Sequence, residues 1–381
     1  MVGVVFVNSA DLRLGNARRV LAALLEGWPC TRPELARRTG LSAMTVGKVA
    51  EQLLELDLLA EAPGDSALAG RPPRQLSPSQ RPRFLAVELG LHATQVQRLS
   101  LAGEVAGAAV QRVGRPADLA SFQRDLQALG GLGSEPIEAV LVSVPGVLDG
   151  RGPAIVFSPN LHWTEGGELL RWLGAHFGAP VCAVQEAQAL ALGHAAAGGA
   201  PEHFLLVELG DGVGSAVVTG GKLLGGPLPL SGELGHTKVP GNLRRCGCGA
   251  IGCLETLAGR AGVLATAGEV ARPAASWLDL VAAWRDGPLP PWLFATIDAT
   301  AMVLAGALNL LGLREVVVVG EVAELHPALV PTLRDGLMAH SLLGRFGRVE
   351  CTLAPARRRL GLLAAAVDRV LLPAAARARS R

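Results

Sequence analysis

Three of the chain's six cysteines fall within eight residues, in the segment GELGHTKVPGNLRRCGCGAIGCLET (232–256), which also carries His236. With Cys30, Cys182 and Cys351 scattered far from the others, six cysteines so unevenly spaced do not describe a disulfide scaffold. They describe a metal site in a reducing compartment. His236, Cys246, Cys248 and Cys253 offer one imidazole and three thiolates, a complete tetrahedral set for structural zinc with no position left for a catalytic water. Gly247, Gly249 and Gly252 allow the backbone to wrap closely round an ion. Such an ion contributes on the order of 10 kcal/mol of local ordering energy, so the segment is expected to fold around it. The alternative, four unliganded side chains, leaves the clustering without a cause.

With 381 residues, half of them hydrophobic, the chain can bury a large core in two or three domains. From Asn16 to about Asp57 the apolar positions recur at helical spacing. Val20, Leu21, Leu24 and Leu25 line a first helix that Gly27 and Pro29 close; a second starts near Pro33 and ends at Gly40. Ser42 caps a third, with Val46, Val49, Leu53 and Leu56 on one stripe. Two helices joined by a turn with a central Gly make the helix-turn-helix pattern. After it, LLAEAPGDSALAGRPPRQLSPSQRP (58–82) reads as a short strand, a Gly/Pro/Ser loop and a return strand at Arg74 to Leu76, the wing of a winged helix-turn-helix followed by a linker. Residues 1–83 carry eleven Lys/Arg against eight Asp/Glu, a mild basic bias.

From Phe84 the chain becomes Gly-rich. FLAVELG, QVQRLSL, EVAGAAV, AVLVSVPG, PVCAV, FLLVELG, SAVVTGG and EVVVVGE read as strands, several ending on Gly in loops that can approach a ligand closely. Helices at about 117–130, 166–177, 186–197, 254–267, 276–286, 291–312 and 357–372 separate them. Strands followed by alternating helices and strands, twice over, predict a two-lobed α/β protein with a cleft between lobes. The boundaries are 84–187 plus 357–381 for one lobe and 188–356 for the other. No uncharged apolar run reaches the roughly 18 to 20 residues of a membrane helix. The opening MVGVVFVNSADLR lacks a basic leader, a long apolar region and a cleavage site. A cytoplasmic protein without a membrane partner is expected.

The Gly-Glu-x-Gly-His element followed by Cys-x-Cys-Gly-x2-Gly-Cys-x-Glu resembles the signature of the ROK family of repressors, open reading frames and kinases. VSVPGVLDG (142–150), FSPNLHW (157–163) and LGDGVGSAVVTGGKL (209–223) resemble its Val-Pro-Gly, Pro-Asn-Leu and second phosphate-loop elements, so the likeness covers nearly the whole chain. The resemblance implies an actin-like ATPase fold, preceded here by an all-α winged helix-turn-helix domain, with a sugar held in the cleft. By that resemblance Glu233 and Glu255 accept hydrogen bonds from sugar hydroxyls, His236 touches both metal and sugar, and Asn160 lies near the sugar. Solvated carboxylates are the alternative for Glu233 and Glu255.

The departures favour a sensor over a kinase. Where the family's kinases read Asn-Asp-Ala-Asn this chain has Gln185, Glu186, Ala187 and Gln188, and Glu186 carries an extra methylene at the position of the base. A displacement of about 1 Å can cost roughly 100-fold in rate. The first phosphate loop, Asp-x-Gly-Gly-Thr in those kinases, reads Glu88, Leu89, Gly90, Leu91, His92. A bulky side chain there obstructs backbone amides that must approach a phosphate. The second loop keeps Gly210, Gly212 and Gly214, read as a tight-turn requirement, but places the anionic Asp211 among them.

On the DNA side, the first turns of the third helix present Met44, Thr45 and Lys48. Arg32, Arg37 and Arg38 are candidates for phosphate contacts. Gly70, Arg71 and Pro72 resemble the family's wing tip, from which Arg71 can enter a narrow minor groove. The expected function is a DNA-binding regulator of carbohydrate metabolism, commonly a repressor. It would bind operator DNA as a homodimer or higher oligomer, respond to a sugar, and hold structural zinc without phosphotransfer chemistry. The competing readings are an ATP-dependent sugar kinase of glucokinase type and a ligand-independent DNA-binding protein.

Overall fold

Gly40, at φ 65°, ends one helix in the left-handed conformation that a residue without Cβ adopts freely, and Ser42 starts the next two residues later by accepting the N–H of Thr45. These are α2 (Arg32–Thr39) and α3 (Ala43–Glu55), preceded by α1 (Ser9–Glu26) and the short strand β1 (Cys30–Thr31). Thr31 and Glu34 close a capping box on α2, with Pro33 in its first turn. Val46, Val49, Ala50 and Leu53 form the buried stripe of α3. Strands β2 (Leu59–Pro63) and β3 (Arg74–Pro78) form the hairpin expected after α3, and β1 pairs with the far side of β3. The module is therefore not all-α: its sheet has three antiparallel strands, the third hidden in sequence because it is two residues long.

The computed structural model describes residues 9–64, 73–81, 83–104, 109–130, 132, 136–150, 152–225, 231–270 and 276–373. Gly70, Arg71 and Pro72 lie outside them, as does most of EVAGAAV.

The remaining chain makes two sheets of matching order. The first has β4 (Phe84–Glu88), β5 (Thr94–Ser100), β6 (Gly103–Glu104), β7 (Gln111–Val113), then α4 (Leu119–Ala128), β8 (Ala139–Val144), the small hairpin β9 (Val147–Leu148) and β10 (Ile155–Phe157), α5 (Glu168–Phe177), β11 (Val181–Gln185) and α6 (Glu186–Ala196). Its order is β11-β8-β4-β5-β6, with β11, β8 and β4 parallel and β5 antiparallel to β4. The second has β12 (Phe204–Leu209), β13 (Val213–Thr219), β14 (Lys222–Leu223), α7 (Glu255–Ala258), α8 (Arg260–Val270), α9 (Trp277–Trp284), α10 (Pro291–Leu311), β15 (Glu315–Val319), α11 (Leu329–His340), β16 (Glu350–Leu353) and α12 (Arg358–Ala366). Its order, β14-β13-β12-β15-β16, repeats the pattern: an antiparallel pair, then two parallel strands. The parallel strands β4, β8, β12 and β15 are buried nearly throughout, as strands covered on both faces must be. Ligands of open α/β sheets bind beyond the carboxyl ends of such strands, and here those ends face one cleft.

The N-terminal module shares a continuous core with the first sheet: Val20, Leu24, Leu53 and Leu76 belong to the same buried cluster as Phe84, Leu99, Leu362 and Leu371. Helix α1 packs against α6, and Arg18 pairs with Asp368 just beyond α12. Arg83 donates to the carbonyls of Leu56 and Asp57 at the end of α3 and pairs with Glu138 ahead of β8.

Helix α10 is 21 residues long and apolar enough, by length and composition, to cross a bilayer. It nevertheless carries Asp298, paired with His340 at 2.7 Å, and buries a stripe from Trp292 to Leu308 in the core beside the second sheet. Its apolar character serves that packing.

Candidate functional site in the interlobe cleft

The segment 232–256 has little regular structure of its own, held by isolated bridges between Lys238 and Cys253 and between Arg245 and Ile251. It nevertheless brings the donor atoms of His236, Cys246, Cys248 and Cys253 within 4.8 Å of one another. Cys248 Sγ lies 3.7 Å from Cys253 Sγ, and Cys246 Sγ 3.6 Å from His236 Nδ1. Thiolates about 2.3 Å from a tetrahedral ion stand roughly 3.8 Å apart, so the cluster has the dimensions and donors of a metal site. Gly249 and Gly252, at φ 86° and 87°, make the two left-handed turns the wrap requires. Without a cation, burial pushes the Cys246 thiol up to about 12.

With Nδ1 turned to the thiols, His236 points Nε2 into the cleft, 3.7 Å from Glu233 Oε2. Gln185 donates from Nε2 to the other Glu233 oxygen at 2.9 Å, and burial raises the Glu233 pKa despite His236. Glu255 opens α7 and accepts the N–H of Val213 at 3.1 Å. Asn160 is exposed at the rim, against Gly247 of the cysteine loop. Glu233, His236, Glu255, Asn160 and Glu186 thus all line one cavity of about 450 Å³. A larger space of about 640 Å³ lies behind β11, but it contains none of these five.

Sequence reasoning missed the residue at the other end of the cleft. Arg358, at the start of α12, reaches Glu186 at 2.5 Å, Glu208 at 2.9 Å and Glu88 at 3.7 Å; its neighbour Arg359 pairs with Glu88 at 2.6 Å. One guanidinium therefore joins the end of β4, the start of α6 and the end of β12. The run Arg357 to Arg359 was a usable signal, because cations oppose the macrodipole at a helix N-terminus unless partners hold them there. Burial raises the Glu186 pKa, only partly offset by Arg358, and Glu208, buried beside Glu186, is pushed up to about 8. A carboxyl whose folded pKa is raised stabilises the protein below its unfolded value near 4.5 and loses that contribution as pH rises through about 8. Thermal midpoints should therefore fall between pH 5.5 and 8.5, and Glu208→Gln should flatten that slope by several degrees; equal slopes would contradict this electrostatic picture.

The two glycine loops meet across the cleft. His92 Nε2 lies 3.2 Å from Asp211 Oδ1, and Arg260, at the start of α8, bridges Asp211 (3.8 Å) and Glu321 (3.0 Å). The second loop keeps its glycines for a different reason than turn geometry, since none of Gly210, Gly212 and Gly214 has positive φ. A Cβ on Gly212 would stand 2.6 Å from Glu255 Oε2, and one on Gly214 would stand 3.2 Å from Ala187 Cβ. Close packing on Glu255 explains Gly212, and packing against Ala187 of α6 explains Gly214.

On the N-terminal module, Met44 and Lys48 are exposed on the first turns of α3, and Thr45 shares a hydroxyl hydrogen bond of 2.9 Å with Ser42. Arg32 does not stand free: it pairs with Glu61 on β2, which also holds Arg74. Arg38 donates to the carbonyl of Gly27, while Arg37 is exposed.

The model of the ROK family matches residues 129–366. The chain belongs to the ROK family. Among similar proteins, this ROK chain is 26% identical to the putative xylose repressor of Caldicellulosiruptor sp. (strain Rt8B.4), over 68% of this chain and 67% of that one. A ROK family transcriptional regulator described as a homologue of the E. coli MLC protein superposes with a TM-score of 0.71 at 20% identity, over 96% of this chain and 99% of its own. A ROK glucokinase from Streptomyces griseus, solved with glucose and AMPPNP, gives 0.61 at 22% identity, over 74% and 97%. The two lobes have the actin-like ATPase architecture.

Proposed function

We propose that this ROK protein is a DNA-binding transcriptional regulator of carbohydrate metabolism, in which a sugar held in the cleft alters operator binding and no phosphoryl group is transferred. The observation that carries this reading is the division of the cleft: the hydroxyl-accepting end is complete, while Arg358 occupies the carboxylate that stands where the family's kinases place their base. Glu186 is held at 2.5 Å by the Arg358 guanidinium, so a sugar hydroxyl could reach that carboxylate only by displacing the arginine. The fold likeness extending over nearly the whole chain is to a regulator, which supports the same reading.

Residues 1–83 form the winged helix-turn-helix DNA-binding unit on this reading, with Met44, Thr45 and Lys48 of α3 facing the major groove and Arg71 on the wing. Arg32 acts mainly as a brace between α2 and the wing through Glu61. Residues 84–381 form the effector unit. His236, Cys246, Cys248 and Cys253 hold zinc, which supplies a structural cross-link, and the imidazole so fixed presents Nε2 to a sugar hydroxyl beside Glu233 and Glu255. Two helices that begin in the cleft, α6 at Glu186 and α12 at Arg358, pack together, and α1 of the DNA-binding unit rests on α6 and pairs with the segment after α12. A shift of this helix pair on sugar binding reaches α1 directly and changes the spacing of two DNA-binding units in a cytoplasmic homodimer.

Duplexes selected from a randomised pool, titrated by fluorescence anisotropy at fixed salt, test the proposal. Lys48→Ala is expected to weaken binding about 10-fold and to reduce the salt slope by about one. A cleft sugar should change the wild-type affinity, and Glu233→Gln should blunt that change. Hexose-dependent ATP consumption at enzymatic rates would contradict the proposal.

A further inference from the structure

We infer that the space of about 640 Å³ behind β11 is a second ligand site, distinct from the cleft, and that it takes a small hydroxylated molecule carrying one carboxylate. A volume in this range suits a metabolite-sized ligand.

Strand β11 is the edge of the first sheet. Its ladder to β8 uses Pro180 and, by alternation, Cys182 and Val184, so Val181 and Ala183 turn their backbone N–H and C=O groups away from β8. Both residues line the cavity. The Ala183 carbonyl accepts from Arg369 Nη1 at 3.2 Å, while the N–H groups of Val181 and Ala183 have no partner among the described residues. Arg369, exposed on the cavity lining just beyond α12, has no carboxylate partner among the described residues, and its one hydrogen bond leaves most of its donors unused. A guanidinium beside unpaired strand-edge amides is a donor array suited to a carboxylate.

The neutral polar groups of the same lining call for hydroxyls. The half-buried side chains of Gln188 and Ser231 have no hydrogen-bond partner among the described residues. Gln185 belongs to the walls of both cavities: its amide N–H goes to Glu233 in the cleft, and its Oε1 is buried without a partner. Amides and hydroxyls exchange hydrogen bonds in both directions, and leaving them unmet in a confined space is costly. Asp149, also on the lining, is engaged in contacts of its own and sets the charge that fits. One guanidinium with a carboxylate on the same wall suits a single negative charge better than a phosphate dianion. Leu148, Pro153, Leu170 and Val370 give the carbon skeleton an apolar surface.

The test is isothermal titration calorimetry on the zinc-loaded full-length chain with gluconate, xylonate and glucuronate, against glucitol, which lacks the charge, and hexanoate, which lacks the hydroxyls. At least one hydroxylated acid is expected to bind saturably, with glucitol and hexanoate each at least about 10-fold weaker. Arg369→Gln, a change at an exposed position, should weaken that acid by at least about 10-fold, and Gln188→Ala by about 3-fold. Glu255→Gln, which alters the cleft alone, should change acid binding by less than about 2-fold, because Glu255 lines only the front cavity. Absence of binding by all three acids, or equal binding by glucitol or hexanoate, overturns the ligand class. Binding lost in Glu255→Gln but retained in Arg369→Gln would place the acid in the cleft and overturn the second site.

Discussion

Cys253→Ala is expected to abolish metal retention and to lower the thermal midpoint by about 10 °C or more. Cys253 is fully buried, and its thiol lies among donors whose burial is tolerable only when a cation offsets their charge. Residues 237–254 are otherwise held by turns, two isolated bridges, the Asn242 amide, which donates to the Cys253 carbonyl and the Thr256 hydroxyl, and Arg244, whose guanidinium donates to the carbonyls of Thr256 and Gly262 and to both oxygens of Glu269 at 2.9 Å. That clamp fastens the root of the loop to α8 but leaves 246–253 without a core. Limited proteolysis should therefore cut the variant within this stretch first. Because His236 takes its orientation from the same cluster, the response to sugar should disappear with the metal. Elemental analysis giving about one zinc per wild-type chain and none in the variant would support the argument. Equal metal content, or equal midpoints, would sink it.

Arg358→Ala should destabilise the chain by about 3–5 kcal/mol at pH 8, the usual cost of stranding buried charge by removing its partner. Three carboxylates lose their common cation, and Arg359 remains to hold only Glu88. The sign of the pH dependence follows from the same arrangement. Glu186 and Glu208 already titrate above the ordinary carboxylate range, and without Arg358 they rise further, so protonation at lower pH relieves the stranded charge. The deficit should shrink steadily towards pH 5. Arg358→Lys, which restores charge without the planar fork that reaches three partners, should recover only part of the loss. Chemical denaturation at several pH values checks this, and a deficit independent of pH would show that lost packing of α12 on α6 dominates instead.

Much of the fold could be read along the chain. The capping residues Thr31 and Ser42, Pro33 and the left-handed Gly40 fixed α2 and α3, since caps and glycine turns act within a few residues. The buried strands were visible as uninterrupted Val/Leu runs. Elements with mixed signals were not: α11 contains Pro331 and Gly336, which mask its periodicity, and Gly336 is needed because a Cβ there would stand 2.7 Å from Ala301 on α10. The edge strand β16, Glu-Cys-Thr-Leu, is too short and too exposed to show a pattern.

By itself the sequence singled out the His/Cys cluster and the family and marked Glu233 and Glu255 as candidates, because ligand spacing and motif order are local properties. Folding alone decided the charge logic of the cleft. Arg358 meets Glu208 across 150 residues of chain and Arg359 meets Glu88 across 271, and no local pattern encodes such pairings. Likewise Arg32, a candidate phosphate contact by its position on a helix, is committed to Glu61 only once the wing folds over α2. Whether a charge is available depends on what lies beside it in space, and desolvation with pairing, both tertiary effects, sets that outcome.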